Sequence, residues 1–373
     1  MFNLNEEQQI IRDGVARFVT EQFSFNQRQV IAQSDDGFDR GQWKSFAELG
    51  WLGIGYPENY GGFGGSYIDV AQICAEQAKL LLMSPYLSCV GTAGNALLIA
   101  GTEKQKLKYL SGIADGSTII TRALFESDCP NDAPQTQGLI KGDNLRVNGF
   151  KRLVPYAAQS EYLIVNAVID SEEKLIVIPT HSAGIKLRPY RMYDASRSAD
   201  VEINNVDVSV ENILSAPTSD KVVSQVTDME IALMCVEASS IMWAIHDQTL
   251  EYLKTREQFG VTLSTFQALQ HRIVDVYVKC QLAQSISEDA MMAAIEAPGS
   301  EETSRRISAA KAHIGQHGRE VGKEGIQLHG GIGMTGDVPI GHYFKRLSAI
   351  SQLNGDNHWH QRRYLKLDPF QVI

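Results

Sequence analysis

Residues 256–270 read Arg256-Glu257-Gln258-Phe259-Gly260-Val261-Thr262-Leu263-Ser264-Thr265-Phe266-Gln267-Ala268-Leu269-Gln270, and residues 327–335 read Gln327-Leu328-His329-Gly330-Gly331-Ile332-Gly333-Met334-Thr335. Each stretch interrupts a long helical pattern. Residues 226–256 are apolar nearly all round, as in a helix buried within a bundle. Residues 266–295 form a second helical pattern, stopped by Ala297-Pro298-Gly299-Ser300. Residues 303–327 form a third, with Ile307, Ala310, Ile314 and Val321 on one stripe. A glycine-rich break at 329–336 precedes a last helical segment near 340–365. Four long helices with short loops predict an antiparallel four-helix bundle. Taken singly, Arg256 reads as a cation at a helix C-terminus and Gly330-Gly331 as a C-cap. Taken together, an always-charged arginine, long amides and bare backbone at two glycines can hold a pyrophosphate and a nucleotide edge.

Upstream, residues 119–210 are short, β-branched runs punctuated by turns. Asn148-Gly149 is a hairpin signal, 162–168 and 175–179 read as strands, and Val201, Ile203, Val206 and Val208 alternate with polar residues. The first third reads helical. Asn5 and Gln8 make an N-cap with its capping-box partner, and Leu4, Ile11, Val15 and Phe18 repeat at helical spacing. Residues 50–65 are glycine-rich, but no Lys-Ser/Thr follows and the spacing is not GxGxxG, so a tight structural loop is expected. Helical pattern resumes over 68–110. The expected architecture is α+β: an N-terminal α-helical domain over 1–118, a middle β-barrel domain over 119–218, and the C-terminal bundle over 219–373.

The 373 residues carry 34 Lys plus Arg against 44 Asp plus Glu, a formal net charge of −10, and no basic run, which argues against a nucleic-acid binder. The balance of 43% hydrophobic and 21% charged residues excludes a disordered or fibrous chain. No apolar run approaches the roughly 20 residues of a membrane helix, so no membrane span is expected. Five scattered cysteines, at 74, 89, 129, 235 and 280, suit neither a disulfide framework nor a zinc site and fit a reducing cytoplasm. The acidic start, Met1-Phe2-Asn3-Leu4-Asn5-Glu6-Glu7, does not read as a signal or transit sequence, which again points to the cytoplasm. His358-Trp359-His360 lacks further ligands at metal spacing, so no metal is expected.

The pattern RxQFG–x5–FQxxQ with QLHGGIGMT resembles the acyl-CoA dehydrogenase family, and the order helical domain, β domain, helical bundle matches over essentially the whole chain. The wording of 327–333 with 340–347 is similar to the small subunits of pimeloyl-CoA dehydrogenase and other two-subunit members. The resemblance implies FAD, a dimer or dimer of dimers, and α,β-dehydrogenation of an acyl-CoA thioester. It assigns Arg256, Phe259, Gln267, Gln327, Gly330 and Gly331 to binding FAD, with electron-transfer flavoprotein as a possible redox partner. The chemistry it implies needs a carboxylate to remove the α-proton while the β-hydrogen leaves as hydride, with the enolate stabilised at the carbonyl.

The departures from the family pattern are local. Where the family has Tyr-Glu-Gly-Thr, with the Glu as base, this chain reads Leu353-Asn354-Gly355-Asp356, and Asn354 cannot accept a proton there. The flavin-holding Ala-x-Thr-Glu-Pro-x-x-Gly-Ser-Asp reads Ala123-Leu124-Phe125-Glu126-Ser127-Asp128-Cys129-Pro130-Asn131-Asp132, with Phe125 for Thr and Asn131 for Ser. The family's Lys-x-Trp-Ile-Thr reads Lys151-Arg152-Leu153-Val154-Pro155, and Pro155 offers neither hydroxyl nor N–H. Residues that the resemblance places on a chain's own flavin are lost, and those reaching a neighbour's FAD are kept. The leading expectation is a base-lacking subunit of a heteromeric acyl-CoA dehydrogenase, paired with a larger family member. The alternative is a self-sufficient homomeric enzyme. Some members carry the base 26 residues before the Arg of RxxFG, and that position here is Glu230. Glu230 also reads as a helix N-terminal acid, Asp228 as a cap and Glu237 as a buried structural acid.

Overall fold

The computed structural model describes residues 4–127, 134–214 and 219–367. Helix α1 (Glu6–Gln22) begins at the predicted capping box, with Asn5 Oδ1 accepting from Gln8 N at 2.8 Å and Gln8 Oε1 from Asn5 N at 3.1 Å. Helices α2 (Phe25–Gln33) and α3 (Arg40–Glu48) follow. The loop at 50–65 is a tight structural turn: a Cβ on Gly62 would lie 2.0 Å from the Tyr56 carbonyl oxygen, so only glycine permits the approach. The helical pattern over 68–110 is not one run. It divides into α4 (Tyr67–Lys79), a π-helical turn (Leu87–Ala93), α5 (Gly94–Ala100) and α6 (Glu103–Ala114). Leu81, with φ 53°, and Pro85, without an N–H, break it after α4.

The strands are β1 (Ile120–Ala123), β2 (Gln137–Lys141), β3 (Asn144–Pro155), β4 (Tyr162–Ile169), β5 (Glu172–Pro179), β6 (Ile185–Arg191) and β7 (Arg197–Ser209). They pair in the order β1-β4-β2-β3-β7-β6, with β5 also on β4. The sheet curls around a core that includes Leu145, Val147, Leu163, Val165, Ile176, Ile178, Val201 and Ile203, all at most 1% exposed. Asn148-Gly149 is not a hairpin turn. It lies inside β3 at a register shift, and Asn148 Oδ1 accepts from Asn205 N at 2.7 Å. Glycine is needed there because a Cβ would meet Thr136 Oγ1 at 2.2 Å, and the turn itself sits at Gly142, φ 60°.

After the sheet come α7 (Ser219–Thr255), a two-stranded hairpin of β8 (Glu257–Gln258) and β9 (Val261–Thr262), then α8 (Gln267–Glu296), α9 (Glu301–His329), α10 (Ile340–Ile350) and α11 (Asn357–Lys366). The predicted last segment is thus two helices. Asn354 and Gly355 take positive φ, 56° and 102°, and Asp356 restarts the helix by accepting from Trp359 N at 2.8 Å. Helix α9 packs against α8, α10 and α11. Its interior glycines admit neighbours closely: a Cβ on Gly315 would meet Asn357 Oδ1 at 2.1 Å and one on Gly322 would meet Phe344 at 2.8 Å.

The chain forms two compact units, one of Met1–Gln29, Ala71–Leu82 and Ile231–Ile373, the other of Val30–Val70 and Met83–Glu230. One helix, Lys221–Thr255, is long and apolar enough to cross a membrane, but 83% of its most apolar window is buried inside the protein. Its apolar circumference is that of a core helix.

Candidate functional site

The six residues assigned to nucleotide binding collect at one end of the helical unit. Arg272 Nε and Nη2 donate to Glu324 Oε2 at 2.9 and 2.6 Å, which pins the start of α8 beside the end of α9. Tyr252, one turn before Arg256, stacks on His329 with ring centroids 4.5 Å apart, which pins the end of α7 there too. Burial pushes the His329 ring below its ordinary pKa, opposed by the Gly325 carbonyl at 2.8 Å from Nδ1. Stacked on Tyr252, this ring pins the two helix ends together. Arg256, Phe259, Gln267, Gln327, Gly330 and Gly331 are all exposed.

Three features make this end open. The Arg256 guanidinium has no partner among the described residues. A Cβ at Gly260, Gly330 or Gly331 would meet nothing within 4 Å. Phe259 and Gly260 form the two-residue turn between β8 and β9 with φ 57° and 79°, and Phe259 is 92% exposed. Such a turn favours Asn-Gly, so a bulky aromatic in the left-handed region, held out into solvent, is costly locally.

The carboxylates are closed by contrast. Helix α7 starts at Ser219, so Glu230 is not an N-terminal acid and Asp228, 1% exposed, is not a cap; both lie within the helix. The helix begins earlier than its apolar pattern does. Glu230 is ion-paired with Arg122 of β1, whose side chain is 3% exposed and also donates to Thr227 Oγ1 at 3.0 Å. Glu237 accepts from Arg346 Nε and Nη2, at 2.5 and 2.8 Å.

Asn354 is 4% exposed and donates Nδ2 to Met234 Sδ at 3.2 Å. Its turn is held from both sides: Lys311 Nζ donates to Gly355 O at 2.8 Å, and His360 Nε2 lies 2.9 Å from Asn354 O. Burial pushes Lys311 down to about 8 and His360 down to about 3. Of the His-Trp-His set, His358 is exposed while His360 is fully buried, so the two do not converge.

In the sheet unit the segment that departs from the flavin-holding pattern is likewise closed. Phe125 O accepts from Arg152 N at 2.7 Å. Glu126 accepts from Gln135 N at 2.5 Å, from Thr136 Oγ1 at 2.7 Å and from Lys151, which also donates to Asn166 Oδ1 at 2.7 Å. Lys151 is fully buried, and burial brings it down to about 8. Burial alone would raise the Glu126 carboxyl, but the bonds from Lys151 and Thr136 hold it below its ordinary value. Pro155 pairs with Ser198 in the ladder, between Leu153 and Tyr156, both at positive φ. Asp128, Cys129, Asn131 and Asp132 lie outside the described residues. Sequence reasoning missed Arg122, Lys311 and the role of Lys151. A buried lysine or arginine carries no local signal, because its partner is distant in sequence.

A family model for the acyl-CoA dehydrogenase N-terminal domain matches residues 5–117, and one for the acyl-CoA dehydrogenase C-terminal domain matches residues 221–365. The chain belongs to the acyl-CoA dehydrogenase family. It is 28% identical over 346 residues to "Probable acyl-CoA dehydrogenase YngJ" of Bacillus subtilis strain 168, covering 89% of this chain and 90% of that protein. It is 27% identical over 359 residues to mitochondrial isovaleryl-CoA dehydrogenase of Bos taurus, covering 92% and 83%. A solved structure of a variant of the Tcur3481-Tcur3483 steroid ACAD superposes with a TM-score of 0.89 at 25% identity over 97% of each chain.

Acyl-CoA dehydrogenases are FAD-dependent oxidoreductases acting on acyl-CoA. The helical end fits the nucleotide half of that cofactor, offering an unpartnered guanidinium, two exposed amides and glycine backbone that a ligand can approach. The 123–126 and 151–155 segments do not fit the flavin half. The Glu126 carboxylate and the Lys151 ammonium are bonded within the sheet unit, and Phe125 and Pro155 present no hydroxyl.

Proposed function

We propose that this chain is the base-lacking subunit of a heteromeric acyl-CoA dehydrogenase, lending the nucleotide-binding half of an FAD site to a larger family member. The observation that carries the reading is the pairing of Glu230 with the buried Arg122. Glu230 is the carboxylate offered as a substitute base, and neutralising it would leave a buried guanidinium without its counter-charge. The usual base position adds support, since Asn354 faces inward in a turn locked by Lys311 and His360. The double designation of the Tcur3481-Tcur3483 steroid ACAD is consistent with an enzyme of two different chains.

In the assembled enzyme FAD supplies the acceptor for the β-hydrogen of the acyl-CoA. This chain's share is binding. Arg256 grips the diphosphate through its planar fork, Gln267 and Gln327 bond the nucleotide through their amides, and Gly330-Gly331 let backbone N–H groups approach it. The partner supplies the base that removes the α-proton, and electron-transfer flavoprotein takes the electrons onward.

The test has two arms. The chain purified alone should hold far less than stoichiometric FAD, read by absorbance after denaturation, and co-expression with a larger family member should bring the pair to stoichiometry. Glu230→Gln keeps size and the bond from Arg122, so flavin bleaching by acyl-CoA under anaerobic mixing should be nearly unchanged. A catalytic base would cost about 10²–10⁴-fold. Stoichiometric FAD in the lone chain, with a loss of that order in Glu230→Gln, would establish the homomeric alternative instead.

A further inference from the structure

Two histidines one turn apart on helix α9 lie outside every site described above. His313 and His317 stand at i and i+4, so both project from the same face of the helix. Their ring centroids are 4.3 Å apart, with the planes tilted by 51°. The surroundings leave a nitrogen available on each ring. His317 Nδ1 lies 3.0 Å from Glu320 Oε2, and a carboxylate can only accept, so Nδ1 carries the proton and Nε2 of the neutral ring keeps its lone pair. Lys279 Nζ holds the same Glu320 oxygen at 2.9 Å, and the bonds from Lys279 and His317 bring the carboxyl down to about 2, so it stays ionised. Occupied in this way, Glu320 orients His317 from behind, the arrangement that fixes the tautomer and direction of metal-binding imidazoles. His313 Nε2 is buried and has no hydrogen-bond partner among the described residues. Burial, with the neighbouring His317, pushes the His313 ring below its ordinary pKa, which keeps it unprotonated at neutral pH. A buried ring nitrogen without a partner is costly to the fold unless a ligand takes it up.

The two nitrogens suit one cation. Zinc–imidazole bonds are about 2.0–2.1 Å long, which sets two nitrogens of a tetrahedral site roughly 3.3 Å apart. Rings at the observed spacing reach that separation by rotation about χ2, a soft torsion in histidine. The His317 side chain is 27% exposed, so an ion can enter from solvent. Imidazole favours zinc, copper and nickel over the hard ions magnesium and calcium. No group of three or more His, Cys, Asp or Glu side chains able to hold a metal ion comes together among the described residues, so water completes the coordination shell. We propose that His313 and His317 form a two-nitrogen chelate for a divalent transition-metal ion of the zinc, nickel or copper class, with Glu320 orienting His317. His317 lies ten residues before Gln327, about 15 Å along α9 at about 1.5 Å per residue, so the chelate is independent of the FAD reading.

The experiment uses the full chain, stripped with a chelator and titrated calorimetrically with nickel chloride near neutral pH. One nickel ion should bind per chain, and magnesium chloride should give no matching heat. Nickel should also raise the urea midpoint, because a ligand of the folded chain stabilises it. His317→Ala removes a part-exposed ring and leaves a single imidazole. Losing the second arm of a chelate should weaken nickel by about tenfold or more and abolish the rise in midpoint. His313→Ala should do the same, with circular dichroism as the check on folding; His317→Ala decides the matter if that variant does not fold. Glu320→Gln keeps an acceptor for Nδ1 but loses the charge, and should weaken binding by about tenfold, the lower end of the effect expected for a group behind a ligand. A wild-type chain that shows neither nickel-dependent heat nor a shift in midpoint would overturn the proposal. So would nickel binding that His317→Ala leaves within error, which would place the ion elsewhere on the chain. Wild-type affinity in Glu320→Gln would overturn the part given to Glu320.

Discussion

The segments 123–126 and 151–155 in the sheet unit and the helix ends at 256–267 and 327–331 in the helical unit both fall in motifs shared with one family, and they treat polar groups in opposite ways. In the sheet, the buried Lys151 binds Glu126 and Asn166, Glu126 is saturated, and the backbone of Phe125 is bonded to Arg152. At the helix ends, Arg256 is exposed without a partner among the described residues, and three glycines leave backbone uncovered. A polar group bonded inside the fold contributes to stability, whereas one left in water is available to a ligand at little desolvation cost. Motif membership alone therefore does not say whether a residue binds anything. The turn at 353–356 is closed by burial although it lies in the helical unit, with Asn354 Oδ1 and His360 Nδ1 buried without a hydrogen-bond partner among the described residues.

This contrast can be broken experimentally, and the largest effect should come from the closed side. Lys151→Met leaves Glu126 without its counter-charge, and breaking a buried pair costs about 3–5 kcal/mol. The urea midpoint of the chain should fall markedly, and a midpoint within error of wild type would mean that the network does not hold the segment. Restoring charge balance with Lys151→Met/Glu126→Gln should recover part of the loss.

Acidification probes the closed turn next. The folded pKa of His360, about 3, lies below its ordinary 6.5. Between those values the unfolded chain takes up a proton that the folded chain does not. Stability is thus lost as pH falls from 6.5 toward 3, at about 1.4 kcal/mol per pH unit. Lys311 acts at the other end: its folded value near 8 against 10.5 means stability rises with pH across that window. Urea unfolding at stepped pH should show both slopes. His360→Phe should flatten the acidic one and Lys311→Met the alkaline one; slopes unaltered by these changes would place the titrating groups elsewhere.

On the open side, Arg256→Ala should leave the thermal midpoint of the chain within error. In the assembled enzyme it should weaken FAD by about tenfold to a hundredfold, the roughly 1.5–3 kcal/mol of a charge-assisted contact. Arg256→Lys should rescue only part, lacking the planar fork. Retention of wild-type FAD affinity by both variants would reduce Arg256 to a helix-end cation. The smallest effect is expected at Phe259. Phe259→Asn suits the left-handed turn and should raise stability by about 1 kcal/mol, measured by urea unfolding, since little packing is lost. A loss of stability instead would show that its edge-to-face contact with Phe266, at 6.3 Å, outweighs the strain.

Much of this was legible in the chain. The capping box at Asn5, the three long helices and the strands read at 162–168 and 175–179, which the structure extends to 162–169 and 172–179, follow from short-range rules, because capping and apolar periodicity act within a few residues. Asn148-Gly149 misled, since a glycine required by Thr136 across the sheet looks locally like one required by a turn. The last helix misled because Asn354 and Gly355, both at positive φ, separate α10 from α11 without a proline.

What the sequence by itself determined is the family and the order of helical and β segments, both of which depend on residue type and spacing, and it proposed which residues reach a nucleotide. Only the tertiary structure decided that Glu230 is tied to Arg122, 108 positions away, that Asn354 is sealed under Lys311 and His360, and that the six nucleotide candidates gather, exposed, at one end of three helices. The reason is physical: whether a charged or polar side chain is consumed or available depends on burial and on partners supplied by distant segments, and neither is encoded in its own neighbourhood.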